Sequence, residues 1–214
     1  MMGTDSGVGA GRLSYLLGLK GPCFSVNTAC SSSIVALDAA KQNVAQQKCP
    51  GAVTAGLNTL LHPASWVGFC VMRLIARDGK SKPFDSSADG YGRSETCASI
   101  VMQQTSGDND LHALALLKGT AVNQDGRSAS FIAPNGPAQQ RLLQAAQADA
   151  SLSSTDINHV ECFANGSPMG DAIEVGALQA TFGQKDQVKT LFLGNHKSNM
   201  GHSEAPSGVV GIIK

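Results

Sequence analysis

The 214-residue chain has no surplus of charge of either sign, since sixteen Lys and Arg balance sixteen Asp and Glu. Without a basic stripe or a charged block, neither nucleic-acid binding nor a charged interaction tail is expected. Long apolar runs are missing too. None approaches the ~20 residues that a membrane helix needs, and the opening stretch MMGTDSGVGAGR lacks an apolar signal core. The expectation is a soluble, cytoplasmic protein with no membrane span. The six cysteines (Cys23, Cys30, Cys49, Cys70, Cys97 and Cys162) form no C-x-x-C pair and no zinc-finger spacing with histidine, so no metal site is expected. With no secretion signal, disulfides are not expected, and most of these thiols read as small buried hydrophobes. Aromatic residues are scarce, at 5 %, whereas glycine is abundant, at 24 residues. That pairing suits closely packed α/β layers joined by tight turns, and the length permits one domain with a sizeable core.

What is present alternates in period. Cys23–Thr28, Ala52–Ala55, Cys97–Gln103, His112–Val122, Ile157–Phe163 and Leu191–Gly194 read as strands. Ser31–Gln47, the stretch capped by Asn135 with Pro137 in its first turn, Ile173–Phe182 and Pro206–Lys214 read as helices, with Gly183 as a stop. Ala138, Leu142, Ala145 and Ala146 fall on one helical face. Helices alternating with buried strands predict an α/β fold with largely parallel sheets. The linker candidate is TSGDND, near Thr105–Asp110.

Three segments carry chemistry. In VNTACSSSIVALDAA, Cys30 sits between a strand-like run and a helical one. Helix N-termini carry unsatisfied amide donors and a partial positive charge, so a thiol there is expected to ionise more readily than a free one. Ser31, Ser32 and Ser33 are candidate caps, and small Ala29 permits a sharp turn. The local pattern leaves two readings open: a nucleophile, or an inert buried cysteine beside a serine cap. In NHKSNMGHSE, His202 precedes a helix whose dipole would favour neutral imidazole; an ordinary surface loop is the other reading. In VECFANGSPMGDAIE, a strand, a tight turn and a helix capped near Asp171 follow one another, and Glu174 is a possible partner for Lys197. Weaker features are GVGAG at Gly7–Gly11, a poor match to a phosphate loop, the isolated His62, His112 and His159, and the acidic pairs Asp85/Asp89 and Asp108/Asp110, which read as turn formers.

Together GRLSYLLGLKGPCFSVNTACSSSIVALDAA, DGKSKPFDSSADGYGRSE, GTAVNQDGRSASFIAPNGPAQQR, GDAIEVGAL and GNHKSNMGHSEAPSGVVGIIK resemble the β-ketoacyl synthase family, most closely the ketosynthase domain of modular type I polyketide synthases. The resemblance covers nearly the whole chain, in family order. It implies a thiolase-like αβαβα layered sandwich of two similar halves, of which this chain is the central part, with residues 1–104 from the N-terminal half and 105–214 from the C-terminal half. A complete ketosynthase would be about twice as long, and usually a homodimer.

The resemblance also implies a reaction, that of a 3-oxoacyl-[acyl-carrier-protein] synthase. The family's cysteine takes an acyl chain from the phosphopantetheine arm of an acyl carrier protein. A malonyl-type thioester then loses carbon dioxide, and its enolate attacks the acyl thioester. No tightly bound cofactor is implied; the phosphopantetheine arm is a substrate tether. By motif, Cys30 matches the nucleophile, His202 the histidine of KSN-x-GH, Lys197 the lysine five residues earlier, and Glu174 the glutamate paired with that lysine.

Departures from the family pattern are informative. Where the family carries HGTGT, this chain has Phe163, Ala164, Asn165, Gly166 and Ser167, so Phe163 takes the place of a histidine. Phenylalanine has no donor, and losing one preorganised donor to a developing oxyanion typically costs about 10²–10³ in rate. Condensation is therefore expected to be impaired while acyl loading on Cys30 survives. Asn165 and Ser167 replace threonines that meet the pantetheine arm, and Ser94 and Thr96 replace glycines of an RGEG loop. The alternative expectation is a non-catalytic scaffold that keeps the fold for dimerisation or carrier docking.

Overall fold

The computed structural model describes residues 5–105, 113–183 and 190–214. Seven helices and four strands are formed among the described residues: α1 (Ser6–Leu17), α2 (Ser32–Ala45), β1 (Gly51–Asn58), α3 (Pro63–Val71), β2 (Thr96–Gln103), α4 (Gly136–Ala150), β3 (His159–Glu161), α5 (Pro168–Phe182), β4 (Phe192–Gly194), α6 (Lys197–Met200) and α7 (Ser207–Ile213). His112, the pair Asp108/Asp110 and most of the expected linker lie outside the described residues.

Capping chemistry explains where most helices start. The Asn135 side chain accepts from the Ala138 amide, and Pro137 occupies a position whose amide needs no partner. Ser167 Oγ accepts from the Gly170 amide, so α5 is capped at Ser167, directly ahead of Pro168, and not near Asp171. Asp171 is buried instead, and its carboxylate accepts from the Phe84 amide. Three helices, α1, α3 and the short α6, lay outside the sequence reading. Asp5 caps α1 through the Gly7 and Val8 amides, which makes GVGAG helix interior and removes it as a phosphate loop. His62 Nδ1 accepts from the Ala64 amide and caps α3.

The strands depart from expectation in pairing. β1 and β2 run antiparallel, from Gly51 opposite Gln103 to Asn58 opposite Thr96. Only β3 and β4 are parallel, with Val160 opposite Leu193, so the largely parallel sheet is not what the described residues form. Cys23–Thr28 and the described part of the 112–122 run are extended but lack a ladder partner among the described residues. Strand identity needs a neighbour as well as a pattern.

α4 packs on α5, and α2 lies against both β1 and α7. The core gathers Cys162, Ala164, Leu178 and Phe182, flanked by Leu143, Ile157, Val160 and Leu191. Two close approaches bring the chemistry-bearing segments together. The Ser33 amide donates to the Ala205 carbonyl, and Ser33 Oγ accepts from the Val209 amide, fastening the start of α2 to the chain after His202. In β1, a Cβ on Gly56 would stand 2.6 Å from the Pro206 Cα. Backbone cannot yield as a side-chain tip can, so Gly56→Ala is expected to cost about 1–3 kcal/mol, measured as a lowered denaturant midpoint at unchanged m-value. No helix among the described residues is long and apolar enough to cross a membrane.

Candidate active site

Cys30 lies in a single 3₁₀ turn, Ala29–Ser31, that leads into α2. Ala29 holds φ at 54°, a left-handed conformation that costs a side-chain-bearing residue about 1–2 kcal/mol. The serines stabilise this turn rather than capping the helix in the ordinary way. Ser32 Oγ accepts from the Thr28 amide and donates to the Ala29 carbonyl, while Ser31 Oγ donates to the Thr28 carbonyl. Ser31, the residue at the cap, makes no side-chain capping bond.

His202 is fully buried. Its amide donates to the Gly92 carbonyl and its carbonyl accepts from the Ser94 amide, which fixes the backbone beside Tyr91–Ser94. The ring is held edge-to-face by Tyr91, at 4.9 Å between centroids, and by Phe163, at 5.5 Å. Its Nε2 stands 3.0 Å from Cys30 Sγ. Its Nδ1 is buried without a hydrogen-bond partner among the described residues. Burial, aided by the charge of Lys197, pushes the imidazole down to about 3, so it is neutral at physiological pH. Neutrality was anticipated, but burial drives it and not a helix dipole.

The thiol behaves against expectation. Burial first, and then the negative charge of Glu204, raise the Cys30 pKa; Lys197 and a backbone hydrogen bond oppose them without prevailing. The resting dyad is therefore thiol and neutral imidazole. A turn at a helix mouth was legible in the sequence, but desolvation outweighs its pull on the proton.

Lys197 opens α6 and is 2 % exposed. Its Nζ lies 5.0 Å above the Phe163 ring, within cation–π range. Burial lowers its pKa to about 8, against the opposing pull of Glu174, Glu161 and Cys30. Glu174 does not close a direct ion pair with Lys197. Its two oxygens accept the Phe163 and Ala164 amides, each at 2.7 Å, and it couples to Lys197 by charge alone. Burial raises its pKa, and those amides and Lys197 work against the rise.

Phe163 is 46 % exposed and offers a ring face to Lys197 and an edge-to-face contact to His202, but no donor. Asn165 is half-buried and its carboxamide makes no hydrogen bond among the described residues, while Ser167 is engaged as the cap of α5. Of the weaker features, Asp85 does form a turn through Ser87 and Asp89 pairs with Lys82. His159 is not isolated, since its Nε2 stands 3.8 Å from Glu161. The six cysteines are free thiols.

Sequence reasoning passed over Asn195. Its Nδ2 donates to the carbonyls of Cys162, Phe163 and Ala164, and its Oδ1 accepts from the Lys197 amide. No spacing rule marks it; the one available signal was an Asn following a strand, a residue suited to turns. The structure thus brings Cys30, His202, Phe163 and Lys197 into one cluster, with Glu174 behind the backbone of Phe163. A thiol with an adjacent imidazole can deliver its proton and attack an electrophilic carbonyl.

Comparison with known proteins places this cluster in context. Residues 1–107 match the family model for the β-ketoacyl synthase N-terminal domain, and residues 114–214 that for its C-terminal domain. The pikromycin polyketide synthase component PikAII of Streptomyces venezuelae is 45 % identical over 99 % of this chain, which spans 6 % of that protein. The phenolphthiocerol synthesis polyketide synthase type I Pks15/1 of Mycobacterium bovis is 44 % identical over 100 % of the chain, which spans 10 % of it. Among solved structures, the oxazolomycin ketosynthase domain OzmH KS7 of Streptomyces albus JA3453 superposes with a TM-score of 0.92 at 29 % identity, covering 98 % of this chain and 37 % of that one. The ketosynthase from module 6 of the bacillaene synthase of Bacillus subtilis 168 gives 0.92 at 31 %, covering 98 % and 38 %.

Proposed function

The chain belongs to the β-ketoacyl synthase family and has the thiolase-like fold of ketosynthase domains, and from that premise we propose that it accepts acyl groups on Cys30 from the phosphopantetheine arm of an acyl carrier protein. The observation that carries this reading is the 3.0 Å approach of His202 Nε2 to Cys30 Sγ. The Cys30 proton passes to Nε2 as sulfur attacks the acyl carbonyl carbon. The tetrahedral intermediate collapses, the carrier's thiolate leaves and takes that proton, and the acyl group remains on Cys30 as a thioester.

Condensation asks more of the site. A malonyl-type thioester bound next to acyl-Cys30 loses carbon dioxide, and its oxygen must be held as the enolate forms. Once Cys30 is acylated, His202 in its Nε2–H tautomer supplies one neutral N–H donor, whereas Phe163 supplies none. We read the site as competent to load and slow to condense. Lys197 contributes positive charge beside the thiol, Glu174 fixes the backbone of Phe163 and Ala164, and the unpaired carboxamide of Asn165, with Ser167, faces the pantetheine arm in this reading. Residues 1–104 and 105–214 contribute parts of the N-terminal and C-terminal halves of one ketosynthase domain, in a cytoplasmic homodimer.

The test is incubation of the chain with an acyl-carrier thioester at pH 7 to 8, followed by peptide mass spectrometry. An acyl adduct on Cys30 and on none of the other five cysteines is expected. A folded protein with no adduct, or with adducts spread evenly over the cysteines, would favour the non-catalytic scaffold instead.

A further inference from the structure

Behind the catalytic cluster a second group of polar side chains, built around the buried His196, takes no part in the chemistry just described. Glu161, at the end of β3, accepts two hydrogen bonds from one residue: its Oε1 takes the His196 amide at 2.6 Å and the His196 Nδ1–H at 2.9 Å. Its Oε2 takes Lys214 Nζ at 3.0 Å, from the end of α7. His196 is 4 % exposed, and its Nε2 is buried with no partner among the described residues. A neutral ring with its proton on Nδ1 satisfies this arrangement and leaves only a lone pair unmatched, a smaller penalty than an orphaned donor. α7 comes close enough that a Cβ on Gly211 would lie 3.1 Å from Glu161 Cγ.

The position of this cluster in the chain gives it consequence. Glu161 is two residues before Phe163, and His196 directly precedes Lys197. Asn195 bonds the same two segments again, through the carbonyls of Cys162, Phe163 and Ala164. We propose that Glu161 and His196, with Asn195, are positioning residues that latch the Phe163 segment to the Lys197 turn and so set where the Lys197 ammonium sits relative to Cys30. The inference rests on the reading of Cys30 as the acyl acceptor, but its test does not depend on that reading alone.

The charged and titratable groups around His196 are Glu161 from β3, with His159 against that carboxylate, Lys214 after α7, Lys197 beside it in the turn, and His202 of the catalytic cluster. Lys197 lowers the Cys30 pKa, and Glu161 supports the charge on Lys197. Loosening the latch therefore moves Cys30 ionisation upward in pH.

Three variants of the full chain decide it: His196→Val, His196→Asn, whose Nδ2 stands near the place of the ring Nδ1, and Glu161→Gln. Two quantities are measured in each, the rate of Cys30 acylation from an acyl-carrier thioester and the pH profile of Cys30 alkylation by iodoacetamide. H196V is expected to slow acylation about tenfold, the scale of one buried charge-assisted hydrogen bond, and to shift the alkylation inflection upward. H196N is expected to restore most of both. A folded H196V with unmoved rate and profile overturns the proposal, as does one with a lower melting temperature and an unmoved profile. If H196V does not fold, E161Q decides: an upward shift supports the latch and an unchanged profile overturns it. If the wild-type chain takes up no acyl group, the acyl-acceptor reading fails, while the alkylation profiles still test the latch.

Discussion

Phe163→His is expected to raise the rate of decarboxylative condensation by about 10²–10³-fold. The Phe163 ring already meets the His202 ring at 5.5 Å, so a histidine at this position would set a second ring donor beside it. Imidazole is smaller than the benzyl ring it replaces, so the substitution does not overpack a site whose present occupant is 46 % exposed. The backbone needs no adjustment, because the Phe163 amide is held by Glu174 whatever the side chain. One favourable contact is lost, that of the Lys197 ammonium with the aromatic face. Product is measured by mass spectrometry with acyl-carrier and malonyl-carrier thioesters, with single-turnover loading of Cys30 as the control. Loading should change by no more than a few-fold. Unaltered condensation in a variant that still loads would show that the missing donor is not what limits the reaction.

His202→Ala should slow Cys30 acylation at pH 7 by about 10²–10⁴-fold, the usual contribution of a positioned proton acceptor. Burial and Glu204 keep the thiol protonated, and Nε2 is the side-chain base that touches it. Without that acceptor the proton must leave to solvent from a mostly buried sulfur. The pH dependence has a defined sign. A thiol with a raised pKa becomes thiolate as pH rises through that value, so the variant should regain activity relative to wild type in alkaline buffer. A defect that is constant from pH 7 to pH 10 would point to lost shape in the pocket, and a rate within a few-fold of wild type at pH 7 would remove His202 from the proton path. Acyl-adduct accumulation, followed by quenched-flow and intact-mass measurement, separates these outcomes.

The parts of the site that could be read from the sequence are those fixed by short-range geometry. The turn at Cys30 follows from a small Ala29 between an extended run and serines that bond back to the backbone. The capped start at Asn135 follows from residues within three positions of each other, whereas α5 is capped by Ser167 and not near Asp171 as its sequence suggested. What escaped was decided across the fold. The protonation state of Cys30 depends on burial and on Glu204, which lies far along the chain. The direct partners of Glu174 are two backbone amides, and no residue-type pattern announces a backbone partner. β3 and β4 are each three residues long, because the ladder lasts only as far as both strands run together. α1 and α3, which start at the caps Asp5 and His62, were missed, and neither buries a residue.

Glu174 grips the main chain at Phe163 and Ala164 while leaving the side chain at 163 to point freely among Lys197, His202 and solvent. Such a grip turns that position into a socket whose contents can be exchanged without rebuilding the loop around it. A lineage could trade bond formation for simple acyl relay, or reverse the trade, by one codon, and the scaffold would scarcely register the difference.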